Sequence, residues 1–389
     1  MKTHHLNYIE RGVSLFVACW LLLNGLSAVS NVRFTHYTAD DGLSQNRVMD
    51  IMQDQQGFMW FATWDGLNRF DGKNFRVYKG EPGDPNGFSN NRLNSIEEDA
   101  FGYLWISTND FEVYRLNPRT EEFQKLSYSP DNNAEVVKHP VQRVEVLNGD
   151  VVSLITAEGC YMIHINPDAT LGRMRYLSRE NGLLAGNDVR AIHKDEKGYT
   201  WFLTDRGVTH FDPVTGHRQH YFHQYQNETG FTCFLSLGDQ LYLGSEKGQV
   251  WSWDETDSNF RVRSLKAAAA ITAITSLDNH RLLVTTAGDG LYLTDERLSV
   301  LQHMTVENYP ALASNTIHSL HKDSRGNVWL EAHAMGVSYY EQATGRLYHF
   351  RPKSDEDIGL AQTQPNFFVV EDKAGRTWVH PRSGGFSEF

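Results

Sequence analysis

The 389-residue sequence contains little cysteine and little proline, with 3 and 11 residues respectively. Cys19 lies in the N-terminal apolar run, which leaves Cys160 and Cys233 in the rest of the chain. So few cysteines exclude the disulfide framework that stabilises small secreted domains. Cys160 and Cys233 lie in different sequence repeats, described below, so we expect no disulfide between them. Both are predicted to be small, buried apolar residues.

Basic residues are also fewer than acidic ones: the chain has 36 Lys and Arg and 48 Asp and Glu, which gives a formal net charge of −12. A chain that binds nucleic acid needs a basic surface to neutralise phosphates. The composition therefore argues against nucleic acid as a partner. An uncharged or cationic ligand fits this charge better.

After residue 30 the sequence has no apolar run of the length that crosses a bilayer, about 20 residues. The one marked run, residues 13–23, follows Lys2 and Arg11 and precedes the small-residue pattern Ala28-Val29-Ser30. This order is typical of a secretory signal peptide. We therefore predict a signal peptide over residues 1–30 and an exported, periplasmic remainder, with an uncleaved anchor as the alternative.

Common enzyme motifs are missing, among them the phosphate-binding loop, His-Glu-x-x-His and Gly-x-Ser-x-Gly. His217, His220 and His223 are three residues apart, and on a strand this spacing places successive side chains on opposite faces. His318, His321 and His333 could approach one another, but core or surface positions are the ordinary reading. We expect no catalytic residue, no metal and no cofactor in this chain.

Aromatic residues and glycine, by contrast, are abundant, with 9 Trp, 17 Tyr, 21 Phe and 31 Gly. Much of the surplus belongs to one spacing, Asp-x-x-Gly-x-x-Trp, which occurs five times. We expect the Asp carboxylate to accept backbone N–H groups of a turn, the Gly to take a positive φ, and the Trp to pack between neighbouring units. These repeat residues are Asp54, Gly57, Trp60, Asp99, Gly102, Trp105, Asp195, Gly198, Trp201, Asp323, Gly326, Trp329, Asp372, Gly375 and Trp378.

Each clear unit reads as four short strands rich in β-branched and aromatic residues and separated by turns. Three weaker units, at residues 141–177, 231–265 and 271–304, lie between the clear ones. Four strands in each unit of about 40 to 50 residues are typical of a propeller blade. The sequence therefore predicts an all-β fold, a β-propeller of four-stranded blades over residues 31–389.

The number of blades depends on how the two ends of the chain pair. Residues 34–37 read as a fourth strand without its first three, and residues 367–389 read as three strands without a fourth. Pairing the ends gives eight blades and removes two exposed sheet edges. Alternatively, residues 34–37 complete the blade within residues 313–340, which gives seven blades and makes 346–389 the start of a second, truncated propeller.

Residues Gly42–Asp71 form a specific sequence motif, which begins Gly42-Leu43-Ser44-Gln45-Asn46 and ends Leu67-Asn68-Arg69-Phe70-Asp71. This motif resembles the two-component regulator propeller repeat, found in the periplasmic sensor region of Bacteroidetes hybrid two-component histidine kinases. The resemblance implies seven blades, the N-terminal portion of a sensor, and an oligosaccharide ligand that regulates polysaccharide-utilisation genes. It also implies a homodimer and a membrane tether through further parts of a longer protein, and no kinase within this chain.

A propeller presents the loops that lead into its first strands, and those between its second and third strands, on one face around the central channel. Asn, Asp, Arg and Trp side chains in such loops suit sugar recognition, through hydrogen bonds to hydroxyls and an aromatic face against the ring. Asp188 and Asn315 also lie in these loops. The candidate ligand-binding residues are Asn46, Arg47, Trp64, Asp65, Asn91, Arg92, Asn109, Asp110, Arg190, Asp205, Arg206, His318 and His333.

Three functions remain open at this stage. The first is a non-enzymatic periplasmic sensor domain that binds an oligosaccharide. The second is a propeller enzyme, for example a lyase or a quinoprotein-like protein, which needs a charged cluster with shifted pKa values at the channel mouth. The third is a scaffold that binds protein through its outer strands, which a large exposed apolar patch would favour.

Overall fold

A computed structural model of the chain describes residues 35–81, 87–126, 137–147, 149–195, 197–222, 230–238, 240–254, 258–265, 267–278, 280–332, 336–350, 367–381 and 386–388. The predicted signal peptide at residues 1–30 lies outside the described residues. Within them the chain forms eight four-stranded antiparallel sheets, which are the blades of a β-propeller. The all-β prediction is confirmed.

The strands follow the repeat units of the sequence. Strand β1 is Thr35–Tyr37. Blade 1 contains β2 (Val48–Gln53), β3 (Met59–Thr63), β4 (Gly66–Phe70) and β5 (Phe75–Tyr78); blade 2 contains β6 (Leu93–Glu98), β7 (Leu104–Thr108), β8 (Val113–Asn117) and β9 (Glu122–Leu126); blade 3 contains β10 (Val141–Leu147), β11 (Val151–Thr156), β12 (Gly159–Ile165) and β13 (Leu171–Leu177). Blade 4 contains β14 (Val189–Lys194), β15 (Thr200–Thr204), β16 (Gly207–Phe211) and β17 (Arg218–Tyr221); blade 5 contains β18 (Phe231–Leu237), β19 (Gln240–Ser245), β20 (Gln249–Asp254) and β21 (Asn259–Ser264). Blade 6 contains β22 (Ile271–Ser276), β23 (Arg281–Thr286), β24 (Leu291–Asp295) and β25 (Val300–Met304); blade 7 contains β26 (Ile317–Lys322), β27 (Val328–Ala332), β28 (Gly336–Glu341) and β29 (Arg346–Phe350); blade 8 contains β30 (Phe367–Glu371), β31 (Thr377–Pro381) and β32 (Phe386–Glu388), and is completed by β1. Short 3₁₀ turns occur at Ala39–Asp41 and Pro310–Leu312.

The eighth blade joins the two ends of the described chain, in the order β1-β32-β31-β30. The Tyr37 ring stacks on Phe386, with 5.2 Å between ring centres, and packs edge-on against Phe70 of blade 1. The described residues therefore form eight blades, the alternative in which the two ends pair, and not the seven that the resemblance implies. Pairing with β1 covers an edge of β32 that would otherwise present unpaired backbone groups.

The apolar core lies between blades rather than within them. In one cluster, Trp60 and Leu67 of blade 1 pack with Leu93 and Tyr114 of blade 2, and all four are nearly fully buried. Equivalent clusters join blade 2 to 3, 3 to 4, 4 to 5, 5 to 6, 6 to 7 and 8 to 1. Because a blade is apolar on both faces, burial requires a neighbour on each side, which favours a closed ring.

The Asp-x-x-Gly-x-x-Trp turns have the predicted conformation. In blade 1, Asp54 Oδ1 accepts the Phe58 N–H at 2.9 Å and Gly57 has φ +95°. The structure adds a bond that the spacing alone did not predict, because the Trp60 indole Nε1 donates to Asp54 Oδ2 at 2.7 Å. The same indole–carboxylate bond occurs at Trp105–Asp99, Trp201–Asp195 and Trp378–Asp372.

The innermost strands of seven blades share an irregularity near their start. The pairing register slips after the first strand residue, as between Val48 and Asp50 or between Leu93 and Ser95. This is a bulge, which inserts one extra residue and bends the strand. It explains why apolar residues recur at a spacing of three in these strands, as at Val48 and Ile51, instead of the spacing of two that a regular strand shows.

A threonine at the end of the second strand holds the following turn. Thr63 Oγ1 donates to the Gly66 carbonyl oxygen at 2.9 Å, and Thr156, Thr204 and Thr286 make the same bond in blades 3, 4 and 6. These turns lie on the face that carries the loops into the first strands.

Candidate functional site

The predicted ligand face contains a cleft of about 590 Å³ at the starts of the innermost strands of blades 3, 4 and 5. Its polar lining combines two arginines, two carboxylates, an amide and a hydroxyl. These residues are Gln142, Arg143, Asp188, Arg190, Thr232 and Glu246. We call this the channel-mouth cleft. Arg190 was among the predicted ligand residues, whereas Arg143 and Glu246 were not.

Arg190 bridges two blades and is held in a fixed position. Its Nη1 donates to the Phe231 carbonyl oxygen of blade 5 at 2.5 Å, and its Nε donates to Asp188 Oδ2 at 3.3 Å. Glu246 Oε1 lies 3.8 Å from the same Nη1. A guanidinium anchored in this way keeps further N–H groups for a ligand at little cost in side-chain entropy.

Arg143 extends the same arrangement to blade 3. Its Nη2 donates to the Arg190 carbonyl oxygen at 3.3 Å and forms a 2.7 Å ion pair with Glu145. Glu246, on the opposite wall, approaches the backbone closely because residue 230 is glycine. A Cβ at Gly230 would lie 2.3 Å from the Glu246 carboxyl carbon. No sequence motif marks this contact, since Gly230 lies directly before the weak repeat unit at residues 231–265.

Carboxylates on the innermost strands of blades 1 to 3 face an environment that disfavours their charge. Burial raises the pKa of Asp50 to about 6. Burial, and next the charges of Asp50 and Glu145, raise the pKa of Glu97 to about 8. The pKa of Glu145 is also raised by burial, which the Arg143 guanidinium opposes. At neutral pH a protonated Glu97 can therefore donate a hydrogen bond as well as accept one.

The structure brings three predicted residues of blades 1 and 2 together. The Arg47 guanidinium carbon lies 3.4 Å from the centre of the Trp64 ring, and the Arg92 guanidinium carbon lies 5.3 Å from it. The Trp64 backbone N–H donates to the Arg47 carbonyl oxygen at 3.1 Å. The Trp64 ring, predicted to offer an aromatic face to a sugar, stacks against the Arg47 guanidinium through a cation–π contact.

The predicted asparagines have a structural role. Asn46 Oδ1 accepts the Ala39 N–H at 2.6 Å, and Asn91 Oδ1 accepts the Gly80 N–H at 2.8 Å. Asn187 and Asn315, at the same position of blades 4 and 7, make equivalent bonds. Each amide closes the connection that leads into an innermost strand, which explains why this residue recurs.

Other predicted residues are spread over this face without converging on the channel-mouth cleft. Asp65 forms a 2.6 Å ion pair with Lys79, and Asp110 accepts the Ser89 hydroxyl at 2.8 Å. Asp205 Oδ1 accepts the Asp188 backbone N–H at 3.2 Å and so helps to position Asp188, which lines the cleft. The remaining positions are Asn109, whose N–H donates to the Arg92 carbonyl oxygen, Arg206 beside Asp205, half-buried His318, and His333, which lies outside the described residues.

The described residues contain no group of three or more His, Cys, Asp or Glu placed to hold a metal ion. Over the same part of the chain, no helix has the length and apolar character that a membrane span requires. Cys160 and Cys233 are free thiols, and burial raises the pKa of Cys160 to about 12.

Residues 42–65 and 87–110 match the family model described as two component regulator propeller. The resemblance to this repeat is thereby confirmed. The chain is also 42% identical over 71 residues to histidine kinase P4 from Formosa agariphila, a match that covers 18% of this chain and 5% of the kinase. The match therefore concerns a small part of both proteins.

Among solved structures, the chain is similar to Sqt1 from Saccharomyces cerevisiae, with a TM-score of 0.63, 11% identity, and coverage of 92% of this chain and 98% of Sqt1. That likeness concerns the fold alone. The extracellular domain of BT4673 from B. thetaiotaomicron, described as a one component system, aligns with a TM-score of 0.42 and 18% identity over 93% of this chain. The chain spans 57% of that domain's length.

Proposed function

We propose that this chain is the ligand-sensing propeller of a two-component regulator, and that it binds an oligosaccharide in the channel-mouth cleft. The observation that carries the proposal is the match of two segments to two-component regulator propeller repeats, on a fold whose predicted ligand face contains a polar cleft. We further propose that the chain is exported to the periplasm and acts, as part of a longer, dimeric, membrane-tethered protein, on polysaccharide-utilisation genes.

The lining of the cleft supports a neutral, hydroxyl-rich ligand. Arg143 and Arg190 offer paired N–H donors, while Asp188 and Glu246 offer acceptors, so both sides of a hydroxyl can be satisfied. Because opposite charges already pair across the cleft, a strongly charged ligand would have to displace an existing ion pair. A volume of about 590 Å³ lies within the range of small-molecule sites, about 300 to 1,000 Å³.

Binding alone does not explain signalling. A ligand shifts a conformational equilibrium only by its difference in affinity for the two states. Arg190 and Arg143 each bond a carbonyl oxygen or a side chain across a blade boundary, so a ligand that recruits their remaining donors would favour one relative position of blades 3, 4 and 5. We propose that this is the difference the rest of a longer regulator reads.

The test is calorimetry of the full chain against a panel of oligosaccharides produced by digestion of different polysaccharides. We expect one member to bind the wild type, and Arg190→Ala to weaken that binding at least tenfold. Arg119→Ala is the matched control, because Arg119 is an exposed arginine in an outer turn of blade 2 and should leave binding unchanged. Failure of the whole panel to bind, or equal binding by the Arg190→Ala variant, would contradict the proposal.

The same samples test the enzyme alternative. Chromatography of each digest after incubation with the chain should show no new product. Turnover that depends on Arg190 or Glu97 would replace the sensor proposal by a propeller enzyme.

A further inference from the structure

A second cavity, of about 400 Å³, lies between blades 4 and 5 at the opposite ends of the strands from the channel-mouth cleft. Its lining is mainly aromatic, with one carboxylate and one amine. The lining residues that matter here are Asp195, Lys197, Tyr199, Trp201, His210 and Trp253. Trp201 and Trp253 meet edge to face, with 5.2 Å between ring centres.

The cavity arises where the repeated turn is missing from the following blade. Between blades 1 and 2 the turns touch, since the Gln55 N–H donates to Glu98 Oε2 at 2.7 Å. Between blades 8 and 1, Lys373 Nζ donates to the Asp54 carbonyl oxygen at 2.7 Å. Blade 5 has no Asp-x-x-Gly-x-x-Trp turn, and β18 and β19 are joined by a short connection that begins at Gly238, which lines the cavity.

Blade 2 shows what occupies the equivalent position when it is filled. Arg115, which pairs with Trp105 across the sheet, stacks its guanidinium carbon 3.9 Å from the centre of the Tyr103 ring. Its Nη2 donates to Asp99 Oδ2 at 2.9 Å, and its Nη1 donates to the Ala169 carbonyl oxygen of blade 3 at 2.6 Å. Carboxylate, aromatic face and carbonyl oxygen together bind one guanidinium.

Blade 8 fills the corresponding position from a different strand. Arg376 Nε donates to Asp372 Oδ2 at 2.6 Å, and its guanidinium carbon lies 5.2 Å from the centre of the Trp378 ring. In both blades the Asp Oδ2 atom accepts two donors, the tryptophan indole and an arginine. In blade 1, Arg69 stacks on Phe58 at 4.7 Å.

Blade 4 has the same carboxylate and aromatic side chains, but the residue that pairs with its tryptophan is a histidine in place of an arginine. Asp195 Oδ1 accepts the N–H groups of Lys197 and Tyr199, as in blade 2, and among the described residues Asp195 Oδ2 accepts the Trp201 indole alone. Trp201 pairs across the sheet with His210, which takes the place of Arg115 and stacks on the indole at 4.0 Å.

Blade 5 has a residue at the position of Ala169 in blade 3, whose carbonyl oxygen accepts from Arg115. Ser258 lines the cavity and, like Ala169, lies between the third and fourth strands of the following blade. Both residues have a positive φ, 64° at Ala169 and 49° at Ser258. Ser258 therefore corresponds to Ala169, the residue whose carbonyl oxygen accepts from Arg115, and lies beside the cavity.

From this internal comparison we propose that the cavity between blades 4 and 5 binds a guanidinium group, from a small guanidino compound or from an arginine side chain of a partner. Asp195 Oδ2 accepts one N–H, and Tyr199, His210 and Trp253 surround the flat cation. The net charge of −12 favours the approach of such a ligand. The proposal does not rest on the channel-mouth cleft.

Among the described lining residues, Lys197 carries a positive charge and so opposes a cation. Its side chain is exposed, and its backbone N–H donates to Asp195 Oδ1. A neighbouring exposed charge acts through water, so its removal should strengthen binding modestly, about threefold.

The test is two-dimensional ¹⁵N–¹H NMR of the full chain, with the Trp201 indole N–H signal assigned through a Trp201→Phe variant. Methylguanidinium should shift this signal in a saturable way, whereas methylurea, a neutral molecule of similar shape, should not. An acetylated, amidated Gly-Arg-Gly peptide that binds more tightly than methylguanidinium would indicate a protein partner, and weaker binding of the peptide would indicate a small guanidino ligand.

His210→Arg supplies the decisive variant, because it places in blade 4 the residue that fills the site in blade 2. We expect the variant to fold with an unchanged or higher melting temperature and to lose methylguanidinium binding at least tenfold. Lys197→Ala should bind about threefold more tightly. If His210→Arg fails to fold, Tyr199→Ala replaces it, with an expected loss of at least fivefold.

A Trp201 signal that does not respond to methylguanidinium would overturn the proposal. So would an equal response to methylurea, or full binding by His210→Arg or, in its place, Tyr199→Ala. None of these outcomes involves an oligosaccharide, so failure here is distinct from failure of the sensor proposal.

Discussion

At the scale of single residues, the five repeated aspartates have the same role in their turns but differ in the charged groups around them. All five accept backbone N–H groups of a turn, but their further neighbours differ: Arg115 donates to Asp99, Arg376 donates to Asp372, and Asp195 lines the cavity between blades 4 and 5. The sequence spacing predicts the turn, because Asp, Gly and Trp are close in sequence. It does not predict the cation, because Arg115 and Arg376 come from different strands.

The buried pair of Arg115 and Asp99 should contribute far more to stability than an exposed pair. Their side chains are 3% and 0% exposed. Arg115→Met should lower the free energy of unfolding by about 3 kcal/mol, because it leaves the Asp99 charge without its cation. The measurement is urea denaturation followed by tryptophan fluorescence.

Arg76→Met is the matched control for that substitution. Arg76 pairs with Glu121 at the surface, where its side chain is 54% exposed, and its loss should cost less than about 1 kcal/mol. Equal losses in the two variants would show that burial does not decide the strength of these pairs.

The raised pKa of Glu97, about 8, gives a pH dependence of stability with a defined sign. Between its usual pKa and about 8, the folded chain holds a proton on Glu97 that the unfolded chain releases, so this residue lowers stability as the pH rises. Glu97→Gln should therefore raise the melting temperature more at pH 8 than at pH 5. Scanning calorimetry at both values measures this, and a gain that is equal or larger at pH 5 contradicts the assignment.

At the scale of strands and turns, the innermost strands deviate from the regular pattern that sequence reasoning assumes. Their bulges place apolar residues at a spacing of three, as at Leu93 and Ile96, so alternation is a poor guide there. The bulge also frees Asp50 and Ser95 to accept backbone N–H groups of the next blade, from Ile96 and Val144. The strands themselves were predictable from composition, but their contacts with the next blade were not.

Two glycines of blade 1 give a prediction, Gly66 at the turn between the second and third strands and Gly72 at the turn between the third and fourth. Gly66 has φ +112°, and a Cβ there would lie 2.6 Å from the Tyr78 carbonyl oxygen. Gly72 has φ +95° with no heavy atom within 4 Å of its Cβ position. Gly72→Ala should cost about 1 kcal/mol from backbone strain alone, and Gly66→Ala should cost clearly more.

Urea denaturation of the two glycine variants separates backbone strain from steric overlap. Similar losses would mean that the turn after β3 moves to accept the methyl group, contrary to its three bonds at Thr63 Oγ1, the Asn91 carbonyl oxygen and the β4 pairing.

At the scale of the whole molecule, the sequence predicted a β-propeller clearly but left the number of blades open. Five identical spacings fix the period of the ring, whereas every outermost strand looks alike, so the pattern could not choose between seven and eight blades. The resemblance to a repeat family favoured seven, and the pairing of Thr35–Tyr37 with Phe386–Glu388 decides for eight in this chain. The two cavities were harder to predict than the fold, because the residues that line each of them come from different blades and lie far apart in sequence.

Closure through Tyr37 should be measurable as a contribution to global stability. Tyr37 contacts the Phe386, Phe70 and Phe75 rings. Tyr37→Ala should lower the free energy of unfolding by about 2 kcal/mol, because it removes an aromatic ring packed among others. Tyr348→Ala is the control, since Tyr348 is an exposed tyrosine on the outermost strand of blade 7 and should cost less.

Both variants should unfold in one cooperative step. A separate early transition in Tyr37→Ala alone would mean that blade 8 melts independently of the ring.

The position of β1 has a consequence for how the protein is made. The Tyr37 hydroxyl bonds Glu388, 351 residues further along the chain. Synthesis proceeds from the N-terminus, so β1 leaves the ribosome before β32 and has no partner strand until Phe386–Glu388 follows. Closure of the ring therefore requires translation to reach Glu388, and a chain that stops earlier leaves β1 without the strand it pairs with.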